Sequence, residues 1–266
     1  MTALTVDIRR KIYRQPGARA EHVALDGVAF TVPEGQFACV VGPSGCGKTT
    51  MLNIIGGLDR AFDGKVGFGE DGGAVRPRSA YVFQTPRLMP WLSVLDNVRL
   101  VLKNGATSAQ ARDLLVQMGL ESTLDSFPNR LSGGMQRRVA LARAFAIEPT
   151  LLLLDEPFVS LDLPGADHLR GSLLDLWQQR PTTVLFVTHD LREALQLADR
   201  ILFMSASPGR VVLDFRVDLS RPRRADEPGI EAIRRRLLAE HPDLLAGLPP
   251  STSAAEALEG AEPTRE

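Results

Sequence analysis

Short apolar runs alternate along this chain with longer stretches of helical period. Residues 37–41 (Phe-Ala-Cys-Val-Val) are apolar throughout and stop at a glycine-rich turn. Residues 151–154 and 183–187 have the same character, which marks strands buried on both faces. Residues 79–83 read as a further strand, and 49–56 as the helix that follows the glycine turn. Between the last two apolar runs, Leu169, Leu173, Leu176 and Trp177 recur at helical spacing and predict a crossover helix. This alternation predicts an α/β domain with a mostly parallel sheet. Upstream, residues 23–32 read as an antiparallel strand that ends in the turn Pro33-Glu34-Gly35.

The stretch from about 86 to 147 has a different rhythm. Residues 95–102, 108–118 and 133–147 are helical, with no strand among them, so a helical subdomain is inserted into the α/β core. The domain proper then runs over 1–217. A C-terminal extension, 218–248, carries one amphipathic stretch (Ile230, Ile233, Leu237, Leu238) expected to pack back on the core. Residues 249–266 are dominated by Ser, Ala, Glu and Pro and are expected to be a disordered acidic tail. No internal repeat is visible.

Composition narrows the class without choosing a function. With 266 residues, 44% hydrophobic and 24% charged, this is an ordinary globular composition. A net charge of -1 lacks the basic excess of a nucleic-acid-binding surface, so no nucleic-acid partner is expected. Cys39 and Cys46 are too few for a disulfide framework and fit a reducing compartment. No secretory signal is visible in residues 1–10, and no apolar run approaches the ~18 residues that span a bilayer. Any work at a membrane is therefore expected from the cytoplasmic side, through a partner.

The glycine turn supplies the first chemistry. Gly42-Pro43-Ser44-Gly45-Cys46-Gly47-Lys48-Thr49 fits G-x-x-x-x-G-K-[ST], for which this composition gives only roughly 0.003 chance matches. Glycines let the backbone curl its N–H groups around phosphate oxygens, and the helix behind presents its positive end. Lys48 would reach the β- and γ-phosphates, and the Thr49 hydroxyl would ligate Mg²⁺; Thr50 continues the site. Some 107 residues on, the apolar strand 151–154 delivers Asp155 to a magnesium shell and Glu156 to an attacking water, as a general base.

A second anion site decides among phosphate-loop families. Ser132-Gly133-Gly134-Met135, 84 residues beyond Lys48, opens a helix with a hydroxyl and glycine N–H groups converging on the helix dipole. With this turn in place, the chain resembles the ATP-binding cassette (ABC) ATPases. The resemblance implies a P-loop NTPase core with an antiparallel β-subdomain and an inserted helical subdomain. It also implies a second ATPase subunit, forming a homodimer. ATP·Mg²⁺ lies between the phosphate loop of one subunit and the signature turn of the other. Gln84 corresponds to the glutamine that contacts Mg²⁺ and the attacking water. Ser160-Leu161-Asp162 corresponds to the D-loop, which crosses the dimer interface. His189, after the strand 183–187, corresponds to the switch histidine at the γ-phosphate. Tyr13 is the candidate for stacking on adenine, being the only aromatic before Phe30. Closure of the dimer moves the helical insertions together, and Lys48 and His189 stabilise charge while Glu156 activates water.

The resemblance extends to a branch. Leu88-Met89-Pro90-Trp91, the nearby Asp96-Asn97-Val98, and Ser207-Pro208-Gly209-Arg210 resemble the nitrate/sulfonate/taurine importers. That implies docking on an integral-membrane permease fed by an extracytoplasmic solute-binding protein. Leu88, Met89 and Trp91 would form the lip that holds the permease, the alternative being that Trp91 packs in the core. Leu163-Pro164-Gly165-Ala166-Asp167 departs from the Thr-Arg that usually opens the helix after the D-loop, and Ser207 stands where the branch often has arginine. The alternative functions are the ATPase of a lipid-type or export system, or a non-transport ABC ATPase. Repair ATPases place a long coiled coil between glutamine and signature, and only 47 residues separate Gln84 from Ser132. Translation ATPases carry two cassettes, and a GTPase needs an Asn-Lys-x-Asp base reader that this chain lacks.

Overall fold

The computed structural model describes residues 3–14, 21–69, 77–102, 107–159, 161–180, 182–224 and 227–248. Ser160 and the predicted tail, 249–266, lie outside the described residues. The strands are β1 (Ala3–Arg14), β2 (Glu21–Pro33), β3 (Phe37–Val41), β4 (Asp63–Gly69) and β5 (Ser79–Val82), then β6 (Leu151–Asp155), β7 (Thr183–Thr188), β8 (Arg200–Met204) and β9 (Val211–Arg216). The helices are α1 (Lys48–Ile55), α2 (Val94–Arg99), α3 (Ser108–Gln117), α4 (Gly133–Ala146), α5 (Leu163–Gln179), α6 (Leu191–Leu197) and α7 (Pro228–Glu240). The arrangement is a P-loop NTPase fold with mostly parallel strands. By contacts it divides into two compact units.

Unit one comprises Met1–Leu4, Val32–Phe37 and Gly67–Phe186. Its strands β5, β6 and β7 are neighbours in that order, and β5 pairs in parallel with β6, Ala80 opposite Leu152 and Val82 opposite Leu154. Every residue of β6 is buried, as its unbroken apolar run demands. On α5, Leu169, Leu173 and Leu176 form the buried stripe that the helical spacing predicted, each leucine contributing about 1.5–3 kcal/mol. Trp177 closes the end of that helix by donating Nε1–H to the Thr182 carbonyl at 2.8 Å. The helical segment holds α2, α3 and α4, and no strand occurs among its described residues. Its first helix is shorter than predicted, ending at Arg99 instead of Leu102. The next residues continue as single turns, Val101 N–H reaching the Val98 carbonyl and Leu102 N–H the Arg99 carbonyl.

Unit two comprises Thr5–Thr31, Ala38–Val66 and Val187–Glu266. Here β3 pairs in parallel with β8, and β8 in antiparallel fashion with β9. Strands β1, β4, β8 and β9 were not anticipated; β1 interleaves buried with half-buried and exposed positions, no residue of β9 is fully buried, and neither has the unbroken apolar run of β3 or β6. A separate three-stranded sheet runs in the order β2-β1-β4. In the extension, α7 buries Ile230 and Leu237 and packs on α6. Arg223, almost fully buried, donates to the Leu195 and Ala198 carbonyls at the end of α6, supplying donors that the helix terminus lacks. Among the described residues, no helix is long and apolar enough to cross a membrane.

Candidate nucleotide site

In unit two the phosphate loop joins β3 to α1, as its motif predicts. Gly47 stands at the N-cap with φ 101°, a left-handed conformation open to glycine, and no side chain caps the helix. The positive end of α1 therefore faces the loop without a side-chain cap, the setting in which helix starts bind anions. Ser44, Gly45 and Thr49 are exposed at the mouth, whereas Gly42, Cys46 and Lys48 are buried. Lys48 donates Nζ–H to the carbonyls of Gly42 (2.8 Å) and Pro43 (2.9 Å), so the loop holds its own ammonium inside the cradle. Behind the loop, a Cβ on Gly209 would lie 2.2 Å from the Cys46 carbonyl oxygen, and Gly209 N–H donates to Ala24. The Ser-Pro-Gly-Arg segment is thus a buttress for the phosphate loop, and Arg210 completes it with an ion pair to Asp26.

Tyr13 meets the same helix. Its hydroxyl lies 3.4 Å from Thr50 Oγ1 and 3.3 Å from Asp59 Oδ2, and its ring is 41% exposed. The Lys11 ammonium sits 4.6 Å from the ring centroid and pairs with Asp59. Burial pulls the Asp59 carboxyl upward, but bonds from Lys11, the Ala61 N–H and Tyr13, with the Lys11 charge, outweigh it and hold the carboxyl below its ordinary value. His189 is exposed just after β7; next to it Thr188 donates to Glu193, and Asp190 caps α6 by accepting from Arg192 N–H at 2.7 Å.

In unit one Asp155 ends β6 and is 5% exposed. Tyr81 donates its hydroxyl to Asp155 Oδ2 at 3.4 Å; burial first, then the Asp155 charge, pushes the phenol's pKa up, so it stays a donor. Glu156 follows at φ 44°, a left-handed backbone for a non-glycine residue and a strain that folds retain mainly at functional positions. Gln84 is exposed. Ser132 caps α4 by accepting from Met135 N–H at 3.2 Å, with Ser132 and Gly133 exposed. Asp162 precedes α5, and Pro164 sits in the first turn, where a missing N–H is harmless. The departure after the D-loop still opens a helix.

Trp91 is 71% exposed, which overturns the alternative that it packs in the core. Asn97 explains how it is held there. Fully buried, Asn97 accepts from Met89 N–H at 2.8 Å and its amide reaches the carbonyls of Met89, Leu92 and Ser93. In the sequence Asn97 stands only as a neighbour of the lip, and nothing in the polar-apolar mixture of α2 marks it as buried. No sequence signal singles out Tyr81 or Arg143.

Within unit one the Asp155 carboxylate, and within unit two the Thr49 hydroxyl, are oxygen donors of the kind that a hard ion such as Mg²⁺ takes. Such a phosphate cradle and such a carboxylate strand occur in many nucleoside triphosphatases, and similarity to known proteins chooses among them. The profile of the ABC transporter family matches residues 25–159. The chain belongs to the ABC transporter family. It is 38% identical to the aliphatic sulfonates import ATP-binding protein SsuB of Bacillus subtilis over 241 residues, covering 90% of this chain and 94% of that protein. It is 43% identical to an uncharacterized ABC transporter ATP-binding protein, MJ0412, of Methanocaldococcus jannaschii, covering 88% of each. Among solved structures, a dimeric post-hydrolysis state of an ATP-binding cassette bound to ADP and Pi superposes with a TM-score of 0.71. It is 32% identical, covering 82% of this chain and all of that one. As an ABC ATPase, the chain binds ATP and couples its hydrolysis to transport.

Proposed function

We propose that this ABC ATPase energises import of a small oxyanion, of the aliphatic sulfonate class. The observation that carries the solute class is identity of 38–43% to subunits named for aliphatic sulfonates import, over about nine tenths of the chain. The chain acts as a homodimer on the inner face of the cell membrane, beneath a permease served by an extracytoplasmic binding protein. Residues 1–217 are the ATPase domain. The exposed Trp91, with half-buried Leu88 and Met89, is the lip that receives the permease.

In this reading the amides of Gly42 to Gly47 and the Lys48 ammonium hold the β- and γ-phosphates, and Tyr13 stacks on adenine. Thr49, Asp155 and Gln84 hold Mg²⁺, which when bound draws charge from the phosphate oxygens. Glu156 takes the proton of the attacking water, and His189 donates to the γ-phosphate. Ser132, Gly133, Gly134, Met135 and Asp162 serve the nucleotide of the partner subunit. The test is complementation. A strain lacking this gene is expected to lose growth on an alkanesulfonate as sole sulfur source while growing normally on sulfate. Wild type restores growth, Glu156→Gln does not although it binds ATP, and Trp91→Ala does not although it hydrolyses ATP. Undiminished growth of the deletion strain on sulfonates overturns the solute assignment.

A further inference from the structure

Unit one contains a run of contacts that no motif announced. Arg143, in the last turn of α4, donates from Nη1 to the Arg87 carbonyl and from Nη2 to the Pro86 carbonyl, both at 3.0 Å. Arg87 is held at φ 45°, a backbone conformation that a non-glycine residue keeps only where its surroundings enforce it. Its guanidinium carbon lies 3.8 Å from the centroid of the Phe83 ring. Phe83 in turn stacks on Tyr81, with centroids 4.1 Å apart and planes 14° from parallel. The two rings are two residues apart in an extended stretch, so they share a face. At the end of the run the Tyr81 hydroxyl donates to Asp155 Oδ2 at 3.4 Å.

We propose that Tyr81 is a positioning residue for Asp155, and that the stack Arg87–Phe83–Tyr81 transmits to it the position of α4, the helix that Ser132 opens. The proposal rests on the reading of Asp155 as a Mg²⁺ carboxylate. A hydrogen bond to one carboxylate oxygen fixes the rotation of the group and thereby which oxygen faces a metal; partners of this kind tune metal affinity strongly. At 3.4 Å the bond is long for O–H···O, so a small approach of the phenol strengthens it steeply. Tyr81 cannot make that approach alone, because its ring is stacked on Phe83, and Phe83 lies under a guanidinium whose backbone Arg143 anchors. A shift of α4 therefore moves the hydroxyl relative to Oδ2.

Mn²⁺ binding to the full-length chain, read by electron paramagnetic resonance of the free ion with a non-hydrolysable ATP analogue present, tests it without turnover. Tyr81→Phe keeps the stack and removes the hydroxyl. It is expected to raise the Mn²⁺ Kd about tenfold while leaving the melting temperature and the metal-free analogue affinity unchanged. Arg143→Met, which frees Arg87, is expected to raise the Kd in the same direction. Combined with Tyr81→Phe it adds little, because both act along one path. Asp155→Asn separates the two readings and is expected to abolish tight Mn²⁺ binding. If it does so while Tyr81→Phe binds like wild type, the positioning role is overturned. Fully additive losses in the double variant overturn the link to α4. An Asp155→Asn protein that binds Mn²⁺ normally overturns the metal assignment beneath both.

Discussion

Two glycine-rich helix starts, Gly42–Lys48 and Ser132–Gly134, look alike as sequence and are built on opposite principles. In the first, glycine is demanded by the chain itself. Gly47 has φ 101°, and a Cβ there would lie 2.6 Å from Leu25 Cδ2 and 2.9 Å from the Ala24 carbonyl oxygen. In the second, neither glycine has positive φ. A Cβ on Gly133 would meet only the end of Arg137 at 3.4 Å, and one on Gly134 would meet Leu161 at 3.5 Å, ordinary contact distances. Alanine favours a helix over glycine by about 1 kcal/mol, so the chain forgoes stability by keeping glycine there. A residue that its own fold does not require is explained by something that approaches from outside, and a partner's γ-phosphate fits that account.

The largest effect is expected from the first turn. Gly47→Ala forces a left-handed alanine, at about 1–2 kcal/mol, and adds a clash against backbone that cannot swing away. The melting temperature should fall by about 4–10 °C, with ATP binding by the isolated subunit reduced more than about a hundredfold. Calorimetry and equilibrium nucleotide titration measure both. An unaltered titration would show that the turn adapts and that the contrast is illusory.

Gly134→Ala should move stability the other way. The melting temperature is expected to rise by about 1–4 °C, since the helix gains a better former and nothing is displaced. ATP binding by the isolated subunit should stay as in wild type, because the phosphate loop is untouched. If this turn serves a partner's nucleotide, as proposed, hydrolysis should nevertheless fall about a hundredfold, because the methyl group blocks its donors. A stabilised protein with full hydrolysis would remove the reason given for the glycine.

What the sequence disclosed follows the same division. The phosphate loop, the buried strands β3, β6 and β7 and the helical insertion were legible, because fully buried strands and cramped turns leave few residue choices. Strands β1, β4, β8 and β9 were not. Gly209 was legible only as a branch marker, and its work became plain once the Cys46 carbonyl was seen against it. Tyr81, Asn97 and Arg143 act through distant or backbone partners, such as Asp155, the Met89 amide and the Arg87 carbonyl. No spacing rule in one sequence announces those contacts.

The smallest effect probes the edge of the first turn, where Tyr13 reaches Thr50. If its ring stacks on adenine, Tyr13→Ala should weaken ATP about tenfold and leave inorganic tripolyphosphate unaffected, since only the base loses a contact. Tyr13→Phe should bind both within about twofold of wild type, because the hydroxyl's contacts, at 3.3 and 3.4 Å, are weak and exposed. Isothermal titration with the two ligands distinguishes this from a purely structural role. If the tyrosine only anchors α1 through Thr50 and Asp59, loosening the helix disturbs the phosphate cradle, and Tyr13→Ala weakens ATP and tripolyphosphate alike. Lys11 already occupies one side of the ring at 4.6 Å, so a base would complete a sandwich of cation, tyrosine and adenine. Lys11→Met should then cost ATP a further small factor and tripolyphosphate none. Equal losses for the two ligands in both variants would assign Tyr13 and Lys11 to the scaffold of the first turn alone.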